Sequence, residues 1–138
     1  MSVEEVKFNE KVVAIILRKE MDLEGVNFFT NHENAFQLGF LSHKKGRRIK
    51  PHIHKPVEIK KIGPTQEVLH LQEGKMKVTF CDRYGNKFDT KVINEGDTIL
   101  LISEGHAIDI IEDSKIIEIK QGPYINVEED KEFLEVKE

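Results

Sequence analysis

Four residues in this 138-residue chain have types and spacing that could do chemistry: His52, His54, Glu67 and His106. On an extended strand, side chains two apart point to one face, so the imidazoles of His52 and His54 can converge on a point. Glu67 opens an apolar run with Val68, Leu69 and Leu71, and His106 follows the run G-D-T-I-L-L-I. A lone histidine on an apolar strand is ordinarily a packed core or rim residue. Two buried imidazoles side by side repel when protonated, whereas neutral imidazoles and a carboxylate are natural ligands for Zn, Fe, Mn, Ni, Co or Cu. The four together predict a divalent-metal site. His70 and Asp109 fall on the opposite faces from Glu67 and His106 and are excluded, while His32 and His43 read as solvated.

Such a site needs strands to position it, and the chain supplies them at short, regular intervals with turn signals between, the pattern of an all-β sandwich or barrel. The spacing predicts strands over 11–18, 36–41, 49–54, 67–72, 75–81, 89–93, 97–102, 106–111 and 115–121. Lys11 to Arg18 is apolar on both faces, as a strand covered on both sides should be. In Lys75 to Phe80, Met76, Val78 and Phe80 face in and the lysines face out. Glu73-Gly74 reads as a tight hairpin, Asp82 to Lys87 as a longer tip, and Asn94 to Asp97 and Glu112 to Ser114 as turns. Residues 1–10 read as a frayed lead-in and 19–35 as loop with at most one helical turn. Residues 127–138 read as a tail that either frays or forms a short helix on Val127, Phe133, Leu134 and Val136.

The bulk numbers narrow the setting. The length fits one domain (1–138, with a barrel core over about 36–121 and a tail from 122), large enough for a real core. A net charge of -4 argues against a general polyanion binder, so no nucleic-acid partner is expected. The longest apolar run, Val12 to Leu17, is too short to span a bilayer, and the acidic start (Glu4, Glu5) is unlike a signal peptide. A single cysteine, Cys81, excludes an internal disulfide. The expectation is a cytoplasmic protein without a membrane partner, pairing as a homodimer because a small barrel with an apolar terminal strand exposes an edge.

The residues also carry a resemblance. Gly46, His52-x-His54, Glu67 and Gly74 resemble the first signature of the cupin superfamily, and Gly96 to His106 resembles the second, with His106 as the last ligand. The resemblance covers about residues 40–120. It implies a small double-stranded β-helix, or jelly-roll, barrel with the metal ion at one open end. Twelve residues separate His54 from Glu67, wider than is usual in the family. Glu58 stands at the usual short spacing and is the alternative carboxylate. Glu67 has the trailing glycine and begins a strand, so the segment Lys55 to Thr65 reads as an inserted loop. Narrower likenesses at T-Q-E-V-L (Thr65 to Leu69) and I-E-I-K-Q-G-P-Y (Ile117 to Tyr124) are similar to a group of small microbial cupins, some of them linked with sugar and surface-polysaccharide biosynthesis.

Around the ion, residues 44–61 carry Lys44, Lys45, Arg47, Arg48, Lys50, Lys55, Lys60 and Lys61 against one acid, Glu58. Most read as solvated. Arg48 and Lys50 share strand parity with the histidines, so they are expected beside the ion, where they would favour an anionic or sugar-like small ligand. Gln121 is expected to turn its amide into the pocket, or else to bond a turn at the strand end. Three histidines and one glutamate leave open coordination positions, compatible with isomerisation or epimerisation of a sugar-like substrate or with an iron-dependent dioxygenase. The alternative is a metal-dependent binding or sensor module without turnover.

Overall fold

A computed structural model describes residues 3–58, 63–123 and 126–137. The chain divides into two compact units, one made of Met1–Met21 with Pro64–Glu138 and the other of Asp22–Gly63. Among the described residues, no helix is long and apolar enough to cross a membrane. Lys60, Lys61 and Tyr124 lie outside the described residues.

The first unit is a strongly curled antiparallel sheet, a half-barrel compatible with a jelly-roll-like fold. Its strands are β1 (Val3–Phe8), β2 (Lys11–Leu17), β5 (Glu67–Cys81), β6 (Lys87–Asn94), β7 (Thr98–Leu101) and β8 (Gly105–Lys120); β3 (Gly25–Phe28) and β4 (Gly39–Ser42) belong to the other unit. The order is β1-β2-β7-β5-β6, and β8 pairs with β5 along its opposite edge. β2 lies between β1 and β7 and buries Val13 to Leu17, as its two-sided apolar sequence requires. Val3 to Glu10, expected as part of a frayed lead-in, are ordered into a strand and a turn. Asn9 and Glu10 both take positive φ, 49° and 67°, closing a two-residue hairpin that places β1 against β2 and buries Val6 completely. The charged residues of V-E-E-V-K-F obscure that strand in the sequence.

An expected hairpin and an expected turn are absent from their places. Glu73-Gly74 and Glu112 to Ser114 do not reverse the chain; β5 and β8 run on through them as one long two-stranded ladder. At both places the ladder bends. Its register shifts between Leu71 and Met76, and the buried positions change from odd (Leu69, Leu71) to even (Met76, Val78, Phe80), the signature of inserted residues. Gly74 sits there at φ 99°, where a Cβ would collide with the Asp113 carbonyl and Ser114. The physical reason is that a β-bulge and a tight turn use the same residue types, and only a cross-strand partner beyond the glycine keeps the strand going.

The bend sets the geometry of the unit. Glu67 and Phe80, the partner of His106, would be about 40 Å apart on a straight strand. Yet Glu67 and His106 side chains touch, 3.0 Å apart. The ladder therefore doubles over into two facing limbs: residues 67–71 with 116–120, and residues 76–81 with 105–110. Leu69, Leu71, Met76, Val78 and Phe80 meet between them and join Val13, Ile16, Ile93 and Ile99 in one apolar core. The other strands close the first unit as their sequences suggest. Asp82 holds the β5–β6 tip by accepting from the Tyr84 and Asn86 amides. The Asn94 to Asp97 turn is fastened by Asp97, which is buried and accepts from Arg18 (2.8 Å) and from the Lys19 and Asn94 amides.

The second unit contains one hairpin, β3 (Gly25–Phe28) with β4 (Gly39–Ser42). β3 falls in a stretch the sequence assigns to loop. The connection is fastened by Gln37, whose amide donates to the Asn31 and Asn34 carbonyls. The strand expected over 49–54 does not form: residues 43–58 are exposed and, past one turn, irregular. Pro51 lacks the N–H a ladder needs, and Ile49 and Ile53, which alternate with the polar residues, stay exposed.

Candidate metal and ligand site

The structure brings together Glu67 with His106 and, within the other unit, His52 with His54. Glu67 opens β5 on the face it shares with Leu69 and Leu71. His106 opens the facing limb beside Ile108. His106 Nε2–H donates to Glu67 Oε1 at 3.0 Å. Their side chains are 30% (His106) and 16% (Glu67) exposed, and both line a pocket of about 270 Å³ whose apolar lining is Leu69, Ile108 and Ile116. Glu118 and Lys131 complete the described lining.

Charge in this pocket is uneven. The hydrogen bond from His106 holds the Glu67 carboxyl down at about 2, against the opposing effect of burial. Glu118 shares a hydrogen with Glu67, and that bond, with burial, raises its own carboxyl above the ordinary range. Two carboxyls in contact cannot both ionise freely, so the pair favours one proton between them or a cation beside them. Lys120 forms an ion pair with Asp130 at 3.3 Å and adds positive charge behind the pair.

His52 and His54 lie on the irregular exposed segment, with ring centroids 5.1 Å apart and planes at 74°. His52 Nδ1 is 2.7 Å from the Lys50 carbonyl. A carbonyl only accepts, so Nδ1 carries the hydrogen and Nε2 presents its lone pair outward, the arrangement that suits an imidazole for metal binding. Arg48 and Lys50 are exposed in the same segment. The shared strand face expected for them with the histidines depended on a strand that does not form. Glu58, the alternative carboxylate, is exposed at the end of this described stretch. Within each unit, no group of three or more described His, Cys, Asp and Glu side chains is arranged to hold an ion.

The remaining candidates fall as follows. His70 points to the other face and meets Thr98 Oγ1 at 2.9 Å. Asp109 faces outward beside Lys77. Gln121 uses its side-chain oxygen to accept from the Gln66 N–H (2.7 Å), the strand-end role among its two expectations. Glu118 is the pocket residue that sequence parity passes over. Ile116 and Ile117 are adjacent and both apolar, so alternation fits either face of I-I-E-I-K, and the register against Leu69 decides it. Compared with protein-family models, with curated proteins and with solved structures, the chain matches none.

Proposed function

We propose that the chain is a metal-dependent protein of cupin type that binds a small anionic or sugar-like molecule, with Glu67 and His106 as two ligands of a divalent ion. The contact between Glu67 and His106 at the pocket wall carries this reading, because it unites residues 39 apart in sequence that are both natural metal ligands. His52 and His54 stay in the proposed set on the strength of the H-x-H motif in the sequence. The donor chemistry, imidazole nitrogen with carboxylate oxygen, suits a borderline divalent ion. Such an ion would supply charge to polarise a bound carbonyl or hydroxyl; it would take the place of the hydrogen that His106 Nε2 now donates to Glu67 Oε1, and Leu69, Ile108 and Ile116 would cover the apolar part of the ligand.

Elemental analysis of protein purified without added metal or chelator tests the proposal. About one equivalent of a transition metal is expected in the wild type, with most of it lost in His106→Ala, Glu67→Gln and His52→Ala and none lost in Glu58→Gln. A wild-type chain that holds no metal and takes up none of zinc, manganese or iron overturns it. Turnover of a bound ligand would then separate an enzyme from a binding module.

A further inference from the structure

The C-terminal segment spans the gap between the two limbs of the bent ladder. It leaves β8 after Lys120 and forms the single turn α1 (Val127–Asp130), capped by Asn126, whose side-chain oxygen accepts from the Glu129 N–H. The Lys120–Asp130 ion pair ties that turn to the limb carrying Glu67 and Glu118. Beyond α1 the chain reaches the limb carrying His106. There a Cβ on Gly105 would stand 2.9 Å from Leu134 Cδ1, and one on Gly85 would strike the Glu135 carbonyl. The Lys137 N–H donates to the Gly85 carbonyl at 2.7 Å. The absent side chains at Gly85 and Gly105 leave the room this crossing occupies. Between its two anchorages lies Lys131, an exposed residue that lines the pocket with Glu67, His106 and Glu118.

We propose that Lys131 receives the anionic group, a carboxylate or phosphate, of the small molecule bound in this pocket, and that residues 126–137 are the pocket wall that places it. Arg48 and Lys50, the cations the sequence suggests for this task, sit on an irregular segment of the other unit, whereas Lys131, itself exposed, belongs to a segment anchored on both sides of it. An ammonium beside an apolar floor offers a ligand oxygen a charge-assisted hydrogen bond. The competing role for Lys131 is to screen Glu67 and Glu118, which would leave anion binding indifferent to its loss. The proposal rests on the metal-centred reading in one respect: a bound cation offsets the two carboxyls that an incoming anion would otherwise meet.

The test is methyl NMR on the full chain, metal-free and zinc-loaded, titrated with inorganic phosphate and with succinate. At least one probe should shift the Ile108 and Ile116 methyls saturably. Lys131→Met should weaken that binding about tenfold or more, the loss of one hydrogen bond to a charged group, and Lys131→Arg should keep it. An unchanged spectrum of the unliganded Lys131→Met variant verifies its fold. Equal binding by Lys131→Met, or no shift of those methyls with either probe in either form, overturns the proposal. Metal content of the same samples reports separately: a chain that binds the anion through Lys131 but holds no metal sinks the metal reading alone.

Discussion

Replacing Glu67 by Gln removes the charge that His106 stabilises while keeping the shape of the side chain. Holding a carboxyl at about 2 rather than 4.5 corresponds to about 3–4 kcal/mol at roughly 1.4 kcal/mol per pH unit. Solvent on the pocket side screens the interaction, leaving about 1–2 kcal/mol. The sign follows from the depressed value: the stabilisation is complete above pH 4.5 and is lost as the pH falls through the folded value near 2. Glu118 works the other way. Its raised carboxyl favours the fold while protonated and ceases to as the pH rises through its folded value; the Gln variant relieves that penalty. Urea denaturation of both proteins in chelator, from pH 8 to pH 2.5, should therefore show the variant less stable by about 1–2 kcal/mol in mildly acidic buffer. The gap should close towards pH 2.5 and narrow again where Glu118 ionises. A gap that stays constant down to pH 2.5, or no gap at any pH, refutes the assignment of the charge to this contact.

Two further outcomes test the fold that makes the site. Gly74→Ala forces an alanine into positive φ against the Asp113 carbonyl and should cost about 2 kcal/mol or more. If the bend is what joins the limbs, the Glu67 carboxyl, followed by NMR, should also rise towards its ordinary value in that variant; an unmoved titration would break the link. Asp97→Ala leaves Arg18 and two backbone amides without their buried acceptor and should cost about 3 kcal/mol in urea denaturation. A loss under about 1 kcal/mol, the size expected of a surface pair, would show that Glu4, which accepts from Arg18 Nη2 at 3.2 Å, alone suffices for Arg18.

The strands were legible wherever burial is one-sided or complete. Met76, Val78 and Phe80 alternate with lysines, and Val13 to Leu17 is apolar throughout, so period and composition identify them without a partner. β1 and β3 were not legible. Their charged or short sequences become strands through hydrogen bonds to β2 and β4, which no local pattern records. Residues 49–54 show the converse, since the alternation around H-I-H suggests a strand that Pro51 and a run of cations prevent.

The site divides in the same way. Sequence alone determined which residues have the chemistry, because imidazole and carboxylate donors are a property of residue type, and parity put Glu67 and His106 on core-facing positions. Tertiary structure decided that these two meet, through a bend at Gly74 that reads locally as a hairpin. It also added Glu118 and Lys131 to the pocket, one through the register of β8 on β5 and the other through a tail that crosses between the limbs. Both depend on which distant backbone lies alongside. That is a matter of long-range hydrogen bonding and packing, and residues near in sequence carry no mark of it.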